Sequence, residues 1–206
     1  MNKDDFRSHI SIYWTKYLIG FISSIVLSIL IISIASSPTK KEKVSIFLTC
    51  TNVSDEFYDY INSITPSYLE IIELNIKHKE DTYYGTVIKG YRGHADIIIV
   101  PESKLDYIIT KDSLVLSDDI MDIFTDKEYE YYYKDDKAIG IKIYSKETKS
   151  CILEDLVTFN KEDDIENYYL FINVNSLHLG ELTNSKYDGV IVILKEILNY
   201  EKESGI

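Results

Sequence analysis

Proline and glycine are scarce in this 206-residue chain, which contains three prolines and eight glycines. Apolar residues make up 45% of the sequence, enough for a core, so the composition excludes disorder as the main state. The length fits one domain of ordinary size plus an appendage. With only two cysteines, Cys50 and Cys151, the chain can form at most one disulfide. A pair of unlinked buried thiols is the alternative.

Positive charge is also in deficit. The whole chain carries 22 Lys and Arg against 34 Asp and Glu, and from residue 38 onward the balance is 19 against 32. A surface that contacts phosphates needs the opposite sign. We therefore expect no nucleic-acid partner.

Motifs of catalysis and cofactor binding are missing as well. The sequence has no G-x-S-x-G, H-E-x-x-H, Walker or G-x-G-x-x-G pattern. His78, His94 and His178 do not have the spacing of metal ligands. The sequence also indicates no histidine that would act as a base for Cys50. The sequence predicts a non-catalytic protein without a metal or cofactor.

One long hydrophobic run stands near the N-terminus. Residues 17–37 contain no charged side chain and, as a helix, would span roughly 30 Å, the hydrocarbon thickness of a bilayer. The run is longer than the apolar part of a typical signal peptide, and Tyr13 and Trp14 precede it at the expected interface. It predicts a retained transmembrane anchor. A signal cleaved after Ala35, with Ser33 as the other small residue, is the alternative.

After the run, strand and helix patterns alternate. Residues 43–49 (KVSIFLT) are typical of a buried strand, and a helix follows with Ser54 as its N-cap. Residues 68–77 predict a second strand and residues 80–93 a second helix. Residues 96–100 (DIIIV) are apolar on both faces of a strand, which places them in the middle of a sheet covered on both sides, and Pro101 ends the strand.

The later part of the chain repeats the theme. It predicts a loop and helix over 112–124, a turn at 134–137, strands over 138–144 and 168–175, and a closing amphipathic helix over 185–201. Strands that alternate with helices imply parallel pairing. The expected fold class is therefore α/β, a doubly wound and mainly parallel sheet preceded by one transmembrane helix.

Two short motifs in this order add a family resemblance. The first comprises Ala95, Asp96, Ile97, Ile98 and Pro101, and the second comprises Tyr133, Lys137, Gly140 and Ile141, with Lys142 where a proline is usual. Over residues 43–145 the chain resembles the first lobe of bacterial extracytoplasmic solute-binding proteins, the receptors of ABC importers. Only about 60 residues follow, too few for a second lobe of similar size.

The resemblance implies an organisation and a function. It divides the chain into a cytoplasmic tail (1–16), the membrane segment (17–37), a linker (38–43) and an extracytoplasmic α/β domain (44–206). The implied protein is a single-pass cell-membrane, solute-binding-like accessory of an ABC importer, with a small solute and a permease or other membrane protein as partners. The alternative is an interaction or sensor module that docks on a membrane partner and binds no small molecule.

Candidate ligand-binding residues follow from the general position of sites in such sheets. Ligands of such sheets lie beyond the carboxyl ends of the strands. The residues expected there are polar residues and turn formers, and the alternative role of the same residues is structural, as helix caps and turns. They are Thr49, Cys50, Thr51 and Asn52 after the first strand, and Pro101, Glu102 and Ser103 after the third. Farther along, the tyrosines of residues 128–133 (EYEYYY) predict either a sugar-stacking surface or the edge of a strand.

Membrane orientation is the first testable prediction. Lysine and arginine are balanced on the two flanks of the run, so orientation rests on the resemblance alone. With the N-terminal tail inside, protease added to intact cells should remove the acidic domain and leave the anchor in the membrane. Protection of the whole chain would contradict this orientation.

Overall fold

The computed structural model describes residues 3–35, 37–109, 129–183 and 185–200, with side chains from residue 12 onward. The chain forms two compact units, an N-terminal one up to Pro38 and a domain from Thr39 onward. The helix and loop expected over 112–124 lie outside the described residues.

The N-terminal unit is one helix, α1 (Lys3–Ala35). Its stretch Ile12–Ala35 is long and apolar enough to cross a bilayer, and its side chains are exposed. A rise of about 1.5 Å per residue gives these 24 residues a length of about 36 Å. The expectation of one N-terminal helix able to span a membrane is confirmed on length and composition.

The domain contains a six-stranded sheet in the order β3-β1-β4-β8-β6-β5 and a two-stranded sheet of β2 and β7. The strands are β1 (Lys43–Thr49), β2 (Asn52–Val53), β3 (Ile71–Lys77), β4 (Ile97–Pro101), β5 (Tyr131–Lys134), β6 (Lys137–Tyr144), β7 (Val157–Thr158) and β8 (Tyr168–Ile172). The three strands and two helices expected before Pro101 are all present, as are the strand near 138–144 and the closing helix.

The sheet is mixed, so the expected mainly parallel, doubly wound arrangement is not confirmed. Strand β1 pairs in parallel with β3 and β4, but β8 runs antiparallel to both β4 and β6, and β5 forms an antiparallel hairpin with β6. The chain leaves β6 at Tyr144 and enters β8 at Tyr168, which is the pairing partner of Tyr144. Because both ends lie at the same edge, β8 has to run back. In the hairpin, Asp135 and Asp136 take positive φ angles of 51° and 60°, as a two-residue turn of this kind requires.

Helices cover both faces of the sheet. On one face pack α2 (Asp55–Ser63) and α4 (Gly189–Leu198), and on the other α3 (Tyr84–Tyr91) and a 3-10 helix (Glu102–Tyr107). Ile97 and Ile99 belong to the first core and Ile98 and Val100 to the second. The expectation that this strand is covered on both sides is confirmed.

Local signals set several element ends. Ser54 caps α2, and its hydroxyl accepts the Phe57 N–H at 3.3 Å. The strand expected over 168–175 ends earlier, at Ile172. There the Asn173 amide donates to the carbonyls of Arg92 and Ala95, at 3.1 and 2.9 Å, and accepts the Asn175 N–H. The side chain of Asn173 thus replaces strand pairing with a turn.

The double burial of β4 generates the second prediction. An aspartate at either Ile98 or Ile99 would place an unpaired carboxylate in one of the two cores. We expect each substitution to lower the free energy of unfolding by about 3 kcal/mol or more, measured by urea denaturation. Ile71→Asp is the matched control, because Ile71 is 44% exposed on edge strand β3 and should cost less than about 1 kcal/mol. A stable Ile98→Asp or Ile99→Asp variant would contradict the double coverage.

Candidate binding cleft at the carboxyl edge of the sheet

Strands β1, β3 and β4 run in parallel and end at one edge of the sheet. The candidate residues after β1 and β4 therefore share this edge. Residues 145–167, which connect β6 to β8, cross the same edge. We call them the rim segment.

The rim segment is fastened to the turn that follows β1. The Thr51 N–H donates to the Thr158 carbonyl at 2.8 Å, and the Ser54 N–H donates to the Leu156 carbonyl at 3.0 Å. The Thr51 hydroxyl donates to the Phe159 carbonyl at 3.2 Å. Beneath these bonds, the segment buries four apolar side chains in the core, those of Leu153, Leu156, Val157 and Phe159. The polar groups of Thr51 thus hold the rim segment, and Asn52 pairs with Thr158 in the small sheet.

Thr49 and Cys50 face the interior. The Thr49 and Tyr84 hydroxyls lie 2.6 Å apart in a buried hydrogen bond, and burial raises the pKa of Tyr84 above its usual range. Burial also raises the pKa of the Cys50 thiol to about 12, so the thiol stays protonated at neutral pH. The His78 ring lies 2.9 Å from the Cys50 carbonyl oxygen. His78 thus contacts the backbone of Cys50 through Nδ1.

The two cysteines are unlinked. Cys50 is buried and Cys151 half-buried, and both are free thiols. Burial raises the pKa of Cys151 to about 11. Of the two alternatives drawn from the sequence, the structure has the unlinked pair.

Pro101 and Glu102 are occupied by contacts within the domain. Pro101 is buried at the end of β4, and the Glu102 N–H donates to the Asn167 carbonyl at 2.9 Å. The Glu102 carboxylate accepts the Asn167 amide at 3.0 Å and lies 3.6 Å from the Lys146 ammonium. The N–H and the carboxylate of Glu102 therefore hold Asn167, the residue directly before β8.

An ion-pair cluster holds the last part of the rim segment. The Lys79 ammonium lies 2.6 Å from a carboxylate oxygen of Asp164 and 2.6 Å from one of Glu166. The second oxygen of Glu166 accepts the Ser103 N–H at 2.8 Å. The Lys79 and Glu166 side chains are only 11% and 14% exposed. Burial by itself lowers the pKa of Lys79, but the hydrogen bonds and charges of the two carboxylates outweigh it and raise that pKa.

Next to this cluster the edge opens into a cleft of about 630 Å³, which we call the rim cleft. Residues from the β3–α3 loop, α3, the 3-10 helix and the rim segment line it: Lys79, Glu80, Asp81, Thr82, Tyr84, Gly85, Ser103, Lys104, Tyr107, Asp164 and Glu166. Of the seven candidate residues, Ser103 alone is part of this lining. The cleft offers hydroxyls, carboxylates and ammonium groups to a polar ligand.

Two aromatic rings of the cleft carry lysine ammonium groups. Lys104 Nζ lies 5.4 Å from the centre of the Tyr84 ring, and Lys89 Nζ lies 5.4 Å from that of Tyr107. These contacts order the wall formed by α3 and the 3-10 helix. Sequence reasoning missed Lys79, Asp164 and Glu166. Lys79 lies just after β3, and Asp164 and Glu166 lie just before β8, so their positions near strand ends could have indicated them. This inference, however, requires the knowledge that β8 is antiparallel to β4.

In the part of the chain that the structure describes, no group of three or more His, Cys, Asp and Glu side chains is arranged to hold a metal ion. The buried His178 ring uses Nε2 in a 3.0 Å contact with the Lys40 carbonyl oxygen.

Comparison with protein family models, curated protein sequences and solved structures found no match for this chain.

The ion-pair cluster generates the third prediction. Lys79→Met leaves the nearly buried Glu166 without its cation, and we expect the free energy of unfolding to fall by about 2 kcal/mol. Lys161→Met is the matched control: Lys161 and Glu80 lie 2.5 Å apart but are more than half exposed, so the loss should be below about 1 kcal/mol.

The pH dependence of this difference follows from the raised pKa of Lys79. A lysine in the unfolded chain has a pKa of about 10.4, so the stabilisation by Lys79 is fully present below that pH. It is lost as the pH rises through the higher pKa of the folded state. Urea denaturation of the wild type and the Lys79→Met variant should be compared from about pH 7 to about pH 11. The difference in their free energies of unfolding should stay constant up to about pH 10 and narrow only above it. Equal losses for the Lys79 and Lys161 variants would contradict a special role for the cluster.

Proposed function

We propose that this chain is a membrane-anchored, extracytoplasmic binding protein whose domain is built like one lobe of a solute-binding protein, and that a small polar solute binds in the rim cleft. The observation that carries the proposal is the position of this cleft, beyond the carboxyl ends of parallel strands in an α/β sheet. The proposal includes no catalytic step.

The path of the chain supports the lobe-like architecture. Three parallel strands are followed by β6, and the chain then leaves the sheet and returns through antiparallel β8, which lies between β4 and β6. In a two-lobed receptor the chain has to leave and re-enter the first lobe at the edge where the lobes meet. Here the excursion consists of residues 145–167 alone. The rim segment takes the place that a second lobe would have, so the ligand is held by one lobe.

The chemistry of the cleft suits a polar solute. Ser103 and Thr82 present hydroxyls, Lys104 presents a cation, and Asp81 and Asp164 present carboxylates. A solute with both donors and acceptors can exchange its water contacts for these groups. A solute held by one lobe is not enclosed by domain closure, so binding should be weaker than in a clamshell receptor.

The hydrophobic helix supports the cellular part of the proposal. One span of the length of Ile12–Ala35 would hold the acidic domain at the outer face of the cell membrane. A solute captured there would be available to a membrane transporter such as an ABC permease.

A second candidate is an interaction module that docks on a membrane partner. Two exposed apolar side chains favour it, Tyr83 at 74% and Ile165 at 40% exposure, next in the chain to the cleft residues Tyr84, Asp164 and Glu166. On a membrane partner these two side chains would supply the apolar part of a protein–protein contact.

The fourth prediction tests the rim cleft. The full chain, in a detergent without a sugar headgroup, is screened by thermal shift against amino acids, dipeptides, sugars and divalent cations. A solute at about 100 times its Kd should raise the melting temperature by about 5–10 °C. Ser103→Trp, which places a large ring at the cleft but keeps the N–H that binds Glu166, should abolish the shift of a solute bound there. Ser103→Ala should retain it.

Two outcomes would contradict the solute proposal. One is that Ser103→Trp abolishes none of the observed shifts, because every ligand would then bind outside the rim cleft. The other is the absence of any shift, combined with a membrane protein that copurifies with the wild type and is lost when Tyr83 and Ile165 are changed to serine. That combination would favour the interaction module.

A further inference from the structure

A second cleft, of about 300 Å³, lies at the end of β6 and beside the C-terminus of α4. Three tyrosines from separate parts of the chain line it: Tyr129 before β5, Tyr144 at the end of β6, and Tyr200 after α4. We call it the tyrosine cleft. Tyr129 belongs to the run EYEYYY, of which residues 131–133 form the edge strand β5. The prediction that this run forms the edge of a strand therefore holds for residues 131–133, whereas Tyr129 lines the cleft.

All three tyrosines are held by a hydrogen bond or by contacts with other aromatic rings. The Tyr129 hydroxyl donates to the Leu198 carbonyl at 3.1 Å. The Tyr200 ring packs edge-on against Tyr60, with ring centres 5.0 Å apart. Tyr144 packs against Phe159 and Tyr168, with ring centres at 6.0 and 6.3 Å. Each of the three tyrosines is only half-buried. A ligand that stacks on such rings has little side-chain entropy to remove, which favours binding.

Polar groups stand beside the rings. The Glu130 carboxylate accepts a hydrogen bond from the Lys142 ammonium, and this contact raises the pKa of Lys142. An acceptor and a charged donor thus stand side by side. Ser145 and Ser150 also line the cleft.

We propose that the tyrosine cleft binds a small saccharide, as a site separate from the rim cleft. A sugar ring presents apolar C–H faces, which stack on tyrosine rings, and neighbouring hydroxyls, which need a donor and an acceptor close together. The rings and the Glu130–Lys142 pair supply both. A free phosphate fits less well, because Glu130 neutralises the cation. The cleft volume lies at the small end of ligand pockets, which points to one or two sugar units.

The experiment is a titration of the full chain, in a detergent without a sugar headgroup, with glucose, maltose and N-acetylglucosamine, followed by saturation-transfer NMR. Sorbitol, which has hydroxyls but no ring face, is the negative probe. We expect saturable transfer to at least one of the three sugars and none to sorbitol. Tyr200→Ala should weaken binding by about tenfold, and Tyr200→Phe should retain it.

The controls separate this site from the rest of the domain. Tyr133→Ala changes an exposed tyrosine of the same run that does not line the cleft, and it should leave the affinity unchanged, as should Ser103→Trp in the rim cleft. Glu130→Gln, which keeps the shape of the side chain, should also weaken binding. The proposal is overturned if no sugar binds saturably, if sorbitol binds as well as the sugars, or if a folded Tyr200→Ala variant binds as tightly as Tyr133→Ala.

Discussion

Strand β4 has to be buried on both faces, and the organisation of the domain depends on this. Ile97 and Ile99 pack on the side of α2 and α4, while Ile98 and Val100 pack on the side of α3 and the 3-10 helix. If either layer of helices were missing, the core on that face of the sheet would be open. Asp96 fixes the start of the strand, because its carboxylate accepts the Ser45 N–H of β1 at 2.8 Å and the Ser176 hydroxyl at 2.6 Å. A charged residue therefore precedes the driest stretch of the domain for a structural reason.

The direction of β8 has an equally broad consequence. Because the chain returns antiparallel between β4 and β6, their shared edge has to be crossed by a connection, and the rim segment makes that crossing. The backbone of the rim segment accepts a hydrogen bond from Thr51 and pairs with Asn52 in the small sheet. The packing of β8 also explains a glycine of the second motif, since a Cβ at Gly140 would lie 2.7 Å from the Phe171 ring. The same residue types that are typical of a ligand site thus serve the return of the chain.

The sequence was informative where local rules decide the structure. The strand before Thr49, the Ser54 cap, the end of the strand at Pro101 and the apolar face of α4 all follow from patterns within a few residues. The direction of β8 does not, because an apolar run such as Tyr168–Ile172 looks the same in a parallel and an antiparallel pairing. For the same reason the lining of the rim cleft was mostly missed. Asp164 and Glu166 lie more than 80 residues from Lys79, and only the return of the chain brings them together.

The rim segment contributes to both clefts. Its first part, including Ser145, Ser150 and Cys151, lines the tyrosine cleft, and its last part, with Asp164 and Glu166, lines the rim cleft. The middle is anchored in the core by Leu153, Leu156 and Val157, which limits how far either end can move. A connection of 23 residues thus provides one wall for each of two concave surfaces on a single sheet. The two clefts form at this edge because the short crossing is anchored at its centre and leaves open space at each end.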